Sequence, residues 1–258
     1  MERGRIHIGT SGFYYEHWRG VFYPEDLAKS HFFEYYMTRF ETVELNSTFY
    51  HLPRLKTTEH WAEMSPPDFL FSLKAYRGIT HYRKLKDVEE ELYRYLHLIK
   101  PLKPKLGTIL FQLPPSLHLD FDLLAGFLEI LPPGYRYTVE FRHPSWLVED
   151  IYNLLKSYNV ALCINDFGKR QMEPVMTADF GYLRFHGPTG RYGGSYDDDT
   201  LRMWADRLKE ASKELKAIFV YFNNDFGGYA VQNALRLMEL LEPISKIPMG
   251  GNDTQKLR

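Results

Sequence analysis

Cysteine is almost absent from this sequence: among 258 residues only Cys163 occurs. A single thiol closes no internal disulfide framework and builds no cysteine-rich metal site. It stands in an apolar, strand-like run, where a buried inert thiol is expected rather than a nucleophile. Long hydrophobic runs are missing as well. No stretch reaches the ~18 apolar residues that cross a bilayer, and the N-terminal MERGRIHIGTSG lacks the apolar segment of a signal peptide. A cytoplasmic protein with no membrane partner is the expectation. There is no excess of charge of either sign, since 32 Lys and Arg face 33 Asp and Glu for a net charge of −1. The whole molecule therefore carries no electrostatic footprint for nucleic acid, and any basic patch must be local. Several motifs are also missing. No P-loop and no His-Glu-x-x-His occur, and none of Ser11, Ser47 and Ser195 sits in a nucleophile elbow. Gly9-Thr10-Ser11-Gly12 is not the glycine fingerprint of a dinucleotide fold.

What is there is a regular alternation. Hydrophobic residues make up 44% and charged residues 25%, enough for one large domain with a sizeable core. Eight runs read as strands: Arg5–Thr10, Thr42–Thr48, Phe69–Ala75, Gly107–Leu113, Arg136–Phe141, Val160–Asp166, Gly181–Gly187 and Ala217–Asn223. Between them apolar residues recur at helical spacing over Phe32–Phe40, Thr57–Met64, Val88–Ile99, Phe121–Leu131, Trp146–Tyr158, Leu201–Leu215 and Tyr229–Leu241. Asp87 and Asp120 are placed to cap two of these helices, and Pro144-Ser145 to open a third. Only a turn near Thr177–Asp179 follows the sixth strand. Alternation repeated this often predicts a single α/β domain, a TIM-type (β/α)8 barrel of parallel strands ringed by helices. It should occupy residues 1–245, with 246–258 a loosely held C-terminal tail.

Side chains two apart on a strand share a face. Val43 and Leu45 oppose Glu44 and Asn46, Phe71 and Leu73 oppose Ser72 and Lys74, Val139 and Phe141 oppose Glu140 and Arg142, and Leu183 and Phe185 oppose Arg184 and His186. The fourth, sixth and eighth strands end in Gln112, Asp166 and Asn223. In a barrel the apolar set packs on the helices and the other set points inward. The inward set turns ionisable at the strand C-terminal ends, where barrel active sites lie. Unpaired buried charge is costly, so these groups must pair with one another or face a ligand.

The same residues resemble the domain of unknown function 72 family. The resemblance runs over nearly the whole chain: Ile8-Gly9-Thr10-Ser11-Gly12 with Trp18, Val43 to Tyr50, Phe71-Ser72-Leu73-Lys74 with Ile79-Thr80-His81, Phe111 to Pro115, Val139 to Trp146, Leu183 to Gly187, and Tyr221 to Asp225 with Gly228-Tyr229-Ala230. It implies a TIM-type barrel with those positions at its mouth, and no settled reaction.

Glu44 and Glu140 are paired carboxylates of the kind that divide acid and base work. With them, Asp166 and His186 complete the expected catalytic set, His186 as a proton carrier or ligand. Lys74, Arg142 and Arg184 suit a phosphate or carboxylate, and Asn46, His81, Gln112, His143, Asn223 and Trp18 complete the expected substrate contacts. Further positive charge stands in the loops at Arg77, Arg83, Lys84, Lys169, Arg170 and Arg191. Glu44, Glu140, His143, Asp166 and His186 also offer metal-ligand atoms, but the interleaved cations disfavour a divalent metal, so no cofactor is assigned. Aromatic residues reach 16%, and loop positions such as Tyr14, Tyr15, Trp18, Phe22, Tyr50, Tyr192 and Phe226 either stack on a ligand or cover the barrel end. The glycine-rich stretch 187–194 reads as a mobile loop. The leading expectation is hydrolysis of a small anionic, phosphate-bearing substrate, which includes single-stranded or damaged nucleic acid. A carbohydrate-active enzyme using the two glutamates and a non-catalytic nucleic-acid or nucleotide binder are the rivals.

Overall fold

The structure, a computed structural model, describes residues 4–166, 174–189 and 192–241. The expected tail from 246 onward, the loop cations Lys169, Arg170 and Arg191, and the middle of the 187–194 loop lie outside the described residues. In chain order the elements are β1 (Arg5–Thr10), α1 (Phe32–Met37), β2 (Thr42–Leu45), α2 (Ser47–Tyr50), α3 (Leu55–Met64), β3 (Leu70–Lys74), α4 (Glu89–Ile99), β4 (Leu106–Gln112) and α5 (Phe121–Glu129). They continue as β5 (Tyr137–Glu140), α6 (Glu149–Ser157), β6 (Ala161–Asp166), β7 (Phe180–Phe185), α7 (Asp198–Ala211), β8 (Ala217–Phe222) and α8 (Tyr229–Leu241). Every strand pairing is parallel, in the order β1-β8-β7-β6-β5-β4-β3-β2. This is the TIM-type barrel read from the alternation of elements. The second strand is shorter than expected because Ser47–Tyr50 turn into a helix. Among the described residues no helix separates β6 from β7, and no helix is long and apolar enough to cross a membrane.

The ring closes between β1 and β2. They meet through a parallel bridge of Ser11 with Glu44. Below it Gly9 lies so close to β2 that an added Cβ would sit 2.3 Å from the Thr42 carbonyl oxygen. Glycine here is a requirement of that approach. The Tyr36 hydroxyl from α1 stitches the same seam, accepting from Thr10 N–H (3.0 Å) and donating to the Thr42 carbonyl (3.0 Å).

Two separate hydrophobic layers follow from strand parity. Outside the strands, residues such as Val43, Phe71, Phe111, Val139, Leu183 and Phe222 pack on the helices. Inside, Leu110, Ala161, Cys163, Phe180, Tyr182, Ala217, Phe219 and Tyr221 fill the lower barrel. Polar ends within this inner layer find partners: the Tyr221 hydroxyl lies 2.6 Å from Thr42 Oγ1 and donates to Ser72 Oγ at 2.9 Å. A register shift between β3 and β4 pairs Phe71 with Leu106 but Leu73 with Ile109. The extra residue in β4 turns Leu110 and Gln112 inward. Caps follow expectation at Asp120, which accepts from Leu123 N–H at 3.0 Å. They depart at Asp87, whose φ of 49° puts it in the left-handed region one residue before the helix cap Val88. Pro144-Ser145 form a short 3-10 turn, and α6 begins only at Glu149.

Candidate functional site

The C-terminal ends of the strands bring together Glu44, Lys74, Gln112, Glu140, Arg142, Arg184 and His186, as the parity of their strands requires. Glu44, Glu140 and His186 are wholly buried and Arg184 nearly so. Arg184 is the hub: Nη2 donates to Glu44 Oε1 and Nη1 to Glu140 Oε2, each at 2.8 Å. Ser11 Oγ donates to Glu44 Oε1 at 2.6 Å, and the Tyr182 hydroxyl donates to Glu44 Oε2. Glu140 Oε1 pairs with Arg142 Nε, and Arg142 Nη2 donates to Gln112 Oε1 at 3.3 Å. Both carboxylates are thus held by guanidinium groups in a place water does not reach.

The electrostatics follow. Burial alone would raise the Glu140 carboxyl, but Arg184 and then Arg142 overcome it and hold the group down at about 2. Lys74 has no such partner: among the described residues no hydrogen bond or ion pair holds its ammonium, which rests 4.0 Å from the centre of the Phe49 ring. Burial, then the nearby Arg184, depress its amine to about 8 despite the pull of Glu140 and Glu44. Among the described residues, Arg142, Arg184 and a protonated Lys74 therefore stand with the two carboxylates Glu44 and Glu140.

His186 has its two nitrogens between amides: Nε2 lies 2.9 Å from Asn165 Oδ1 and Nδ1 3.2 Å from Asn223 Nδ2. Burial and Arg184 push its pKa well below the ordinary histidine value, so the ring is neutral. The Tyr192 ring packs edge-on over it at 5.3 Å. His81 stacks edge-on with Phe49 at 4.8 Å, and burial with the charge of Lys74 lowers it to about 4.

Three expected site residues stand elsewhere. Asp166 points outward, where its Oδ2 accepts from Trp204 Nε1 of α7 at 3.0 Å. The inward residue at that level is Asn165, which pairs in register with Arg184 while Asp166 pairs with Phe185. Trp18 is fully buried under Tyr15, Phe22 and Tyr23 and offers no surface to a substrate. His143 accepts from Ser145 N–H at 3.2 Å in a local cap and stacks on His118 at 3.9 Å. With Asp166 and His143 turned away, no three His, Cys, Asp or Glu side chains among the described residues converge as metal ligands. Sequence reasoning placed Ser11 at the mouth only through the resemblance, with no role, and missed Tyr182 and Asn165. Tyr182 shares the parity of Arg184, and Asn165 that of Cys163, so counting in twos from either would have found them.

A cavity of about 500 Å3 lies near the charged centre but not over it. It opens beside it, between α1 and α3, and touches the centre only through Ser11 and Asn46. Asn46 Oδ1 is buried there with no hydrogen-bond partner among the described residues. Exposed aromatics gather at the same end of the barrel: Tyr14, Tyr50, Tyr82, Tyr192 and Phe226 each follow the C-terminal end of a strand. Arg77 stands between two of them, 5.7 Å from Tyr50 and 5.2 Å from Tyr82, whereas Arg83 is paired with Glu91 at 2.6 Å.

A family model described as "Protein of unknown function DUF72" matches residues 7–255. The UPF0759 protein YunF of Bacillus subtilis (strain 168) is 28% identical, over 92% of this chain and 95% of its own length. A crystal structure of a DUF72 family protein from Thermotoga maritima MSB8 superposes with a TM-score of 0.83 at 33% identity, covering 93% of this chain and 100% of that one. One from Enterococcus faecalis V583 gives 0.79 at 21% identity over 98% and 100%, a likeness of fold. The family model spans all but the first residues of the barrel and every member of its charged centre, and the chain belongs to the DUF72 family.

Proposed function

We propose that this protein is an enzyme that binds a small phosphate- or carboxylate-bearing substrate at the mouth of the barrel, with Lys74 and Arg142 as the anion-binding pair. The observation that carries this reading is the pairing at one point: two carboxylates are already bound by Arg184 and Arg142, and among the described residues no carboxylate pairs with the Lys74 ammonium. An anion entering the mouth would pair with the Lys74 ammonium, and the positive charge of Arg142 beside it favours the same ligand. Glu44 and Glu140 act as fixed anions that hold Arg184 rigid rather than as an acid–base pair. A carboxyl held near 2 is too weak a base for proton transfer at neutral pH. Gln112 orients Arg142, and Asn165 and Asn223 fix a neutral His186 beneath Tyr192.

This arrangement removes the main support for a glutamate-based glycoside hydrolase, which needs one carboxylic acid and one free carboxylate across an open groove. A second reading, a single-stranded nucleic acid as the anion, draws on the exposed aromatics and Arg77 at the rim, since bases stack on such platforms. The test is a thermal-shift and calorimetric titration with inorganic phosphate, pyrophosphate, small carboxylates and a short oligonucleotide. Stabilisation by at least one anion, lost in Lys74→Met and Arg142→Met, is expected. If no anion stabilises the wild-type protein, the reading is wrong.

A further inference from the structure

We propose that Lys74 is a covalent nucleophile: its side-chain amine forms an imine with a carbonyl group on an anionic substrate held at the barrel mouth. The inference rests on the anion-binding reading and names the substrate class within it, a phosphorylated or carboxylated aldehyde or ketone.

Three observations place a reactive amine here. Lys74 ends β3 on the inward face, in line with Ser72, at the end of the barrel where substrate enters. The carboxylates that would ordinarily neutralise it are occupied, Glu44 by Arg184, Tyr182 and Ser11, and Glu140 by Arg184 and Arg142. Its ammonium lies over the Phe49 ring, itself packed on His81. A lysine beside other cations in a partly apolar pocket is the environment that yields a free amine near neutral pH. The groups facing it are Arg184 from β7, Glu140 from β5, Arg142 just after β5, Glu44 from β2, and His81 from the turn after β3. Burial most of all, then Arg184 and Arg142, disfavours its protonated form, and the two glutamates favour it.

The step balances without an oxidant or reductant. The neutral Nζ attacks the carbonyl carbon, a C–N bond forms and the carbonyl electron pair moves to oxygen. The carbinolamine then breaks its C–O bond, the two amine hydrogens leave with that oxygen as water, and a C=N bond remains. Arg142 retains the substrate's phosphate or carboxylate throughout. With its amine at about 8, Lys74 carries on the order of 10²-fold more free amine at pH 7 than an ordinary lysine.

The full-length protein, its Lys74→Arg variant and glycolaldehyde phosphate or propanal are incubated with sodium cyanoborohydride, and the reduced adducts are located by peptide mass spectrometry. We expect one adduct on the peptide carrying Lys74, formed about 10-fold or more faster than on exposed lysines. It should be absent in Lys74→Arg, slowed by inorganic phosphate, and faster as pH rises through about 8. Modification spread evenly over surface lysines, or Lys74 untouched by both aldehydes, overturns the proposal. The two readings separate cleanly. If propanal labels Lys74 as fast as glycolaldehyde phosphate and phosphate gives no protection, the imine stands and the anion site falls. If phosphate stabilises the protein but neither aldehyde labels Lys74, the anion site stands and the imine falls.

Discussion

The molecule contains two ion networks of nearly the same composition in opposite surroundings. Inside the barrel, two arginines and two glutamates are linked through Arg184, with Glu44 and Glu140 fully buried. On the outside, Asp198 at the start of α7 accepts from Arg202 (2.8 Å) and twice from Arg236 (2.6 and 2.8 Å), and Arg236 also donates to Glu239 (2.9 Å). The four outer side chains are 38–65% exposed. Distances alone would rank the networks as equals. Water separates them: exposed charges lose little when a partner goes, because solvent replaces it. Buried charges have no substitute, so removing one partner strands the others. A fold keeps such a liability where it has a use for fixed charge.

The largest effect should come from the hub. Arg184→Met leaves Glu44 and Glu140 buried together without their shared cation, and urea denaturation should show a loss of about 3 to 5 kcal/mol. Adding Glu44→Gln and Glu140→Gln to Arg184→Met should restore much of that loss, because an uncharged set needs no cation. A triple variant as unstable as Arg184→Met would mean that packing, not charge, sets the cost.

Acid should break the inner network next. Glu140 stays ionised in the folded protein down to about 2, below its ordinary value of 4.5, so the unfolded chain binds more protons between those limits. The stability it contributes is complete above about 4.5 and drains away as pH falls toward 2, on the order of 3 kcal/mol. Glu140→Gln should be less stable at pH 7 and should lose less than the wild type between pH 4.5 and 2. Parallel acid limbs for the two proteins would show that Glu140 does not carry this dependence.

Lys74 sharpens the comparison from the other side, as a cation of the centre with no bound carboxylate among the described residues. Its amine is depressed from 10.5 to about 8, so the unfolded state holds the extra proton in that window and stability should rise with pH across it. Lys74→Met should flatten this rise, leave stability at pH 7 unchanged or slightly higher, and abolish the thermal shift caused by phosphate. A variant that is clearly destabilised at pH 7 would mean the ammonium is structurally paired.

Why the centre was legible and its surroundings were not comes down to period. β2, β3, β5 and β7 alternate strictly, so Val43, Leu73, Val139 and Leu183 fix the outward face and leave Glu44, Lys74, Glu140 and Arg184 to converge. The barrel itself was readable from the recurrence of strand and helix. At the end of β6, Asp166 shares the outward parity of Leu162 and Ile164, so the ionisable residue faces α7 and the amide of Asn165 faces the barrel, the reverse of what residue type alone suggests. In β4 the inward position of Gln112 was legible at the strand end, whereas the extra residue earlier in the strand that shifts its register against β3 was not. Loop aromatics carry no periodicity at all. Trp18 and Tyr14 look alike in sequence, yet one is wholly buried and the other 59% exposed.

The smallest expected effect belongs to the outer network, and it is the control on which the comparison turns. Arg236→Ala removes the residue that joins Asp198 to Glu239 and makes three charge-assisted hydrogen bonds. Both acids remain hydrated when it goes, and Asp198 keeps Arg202 and its favourable place in the first turn of α7. The melting temperature should therefore move by no more than about 1–2 °C, and even that difference should shrink in 1 M salt, roughly where screening reaches 3 Å. Arg184→Met should by contrast stay destabilised in the same salt, because ions in solution do not reach the barrel interior. A salt-insensitive loss on removing Arg236, as large as that on removing Arg184, would mean that the number of hydrogen bonds, not exclusion from water, sets the energy of these networks.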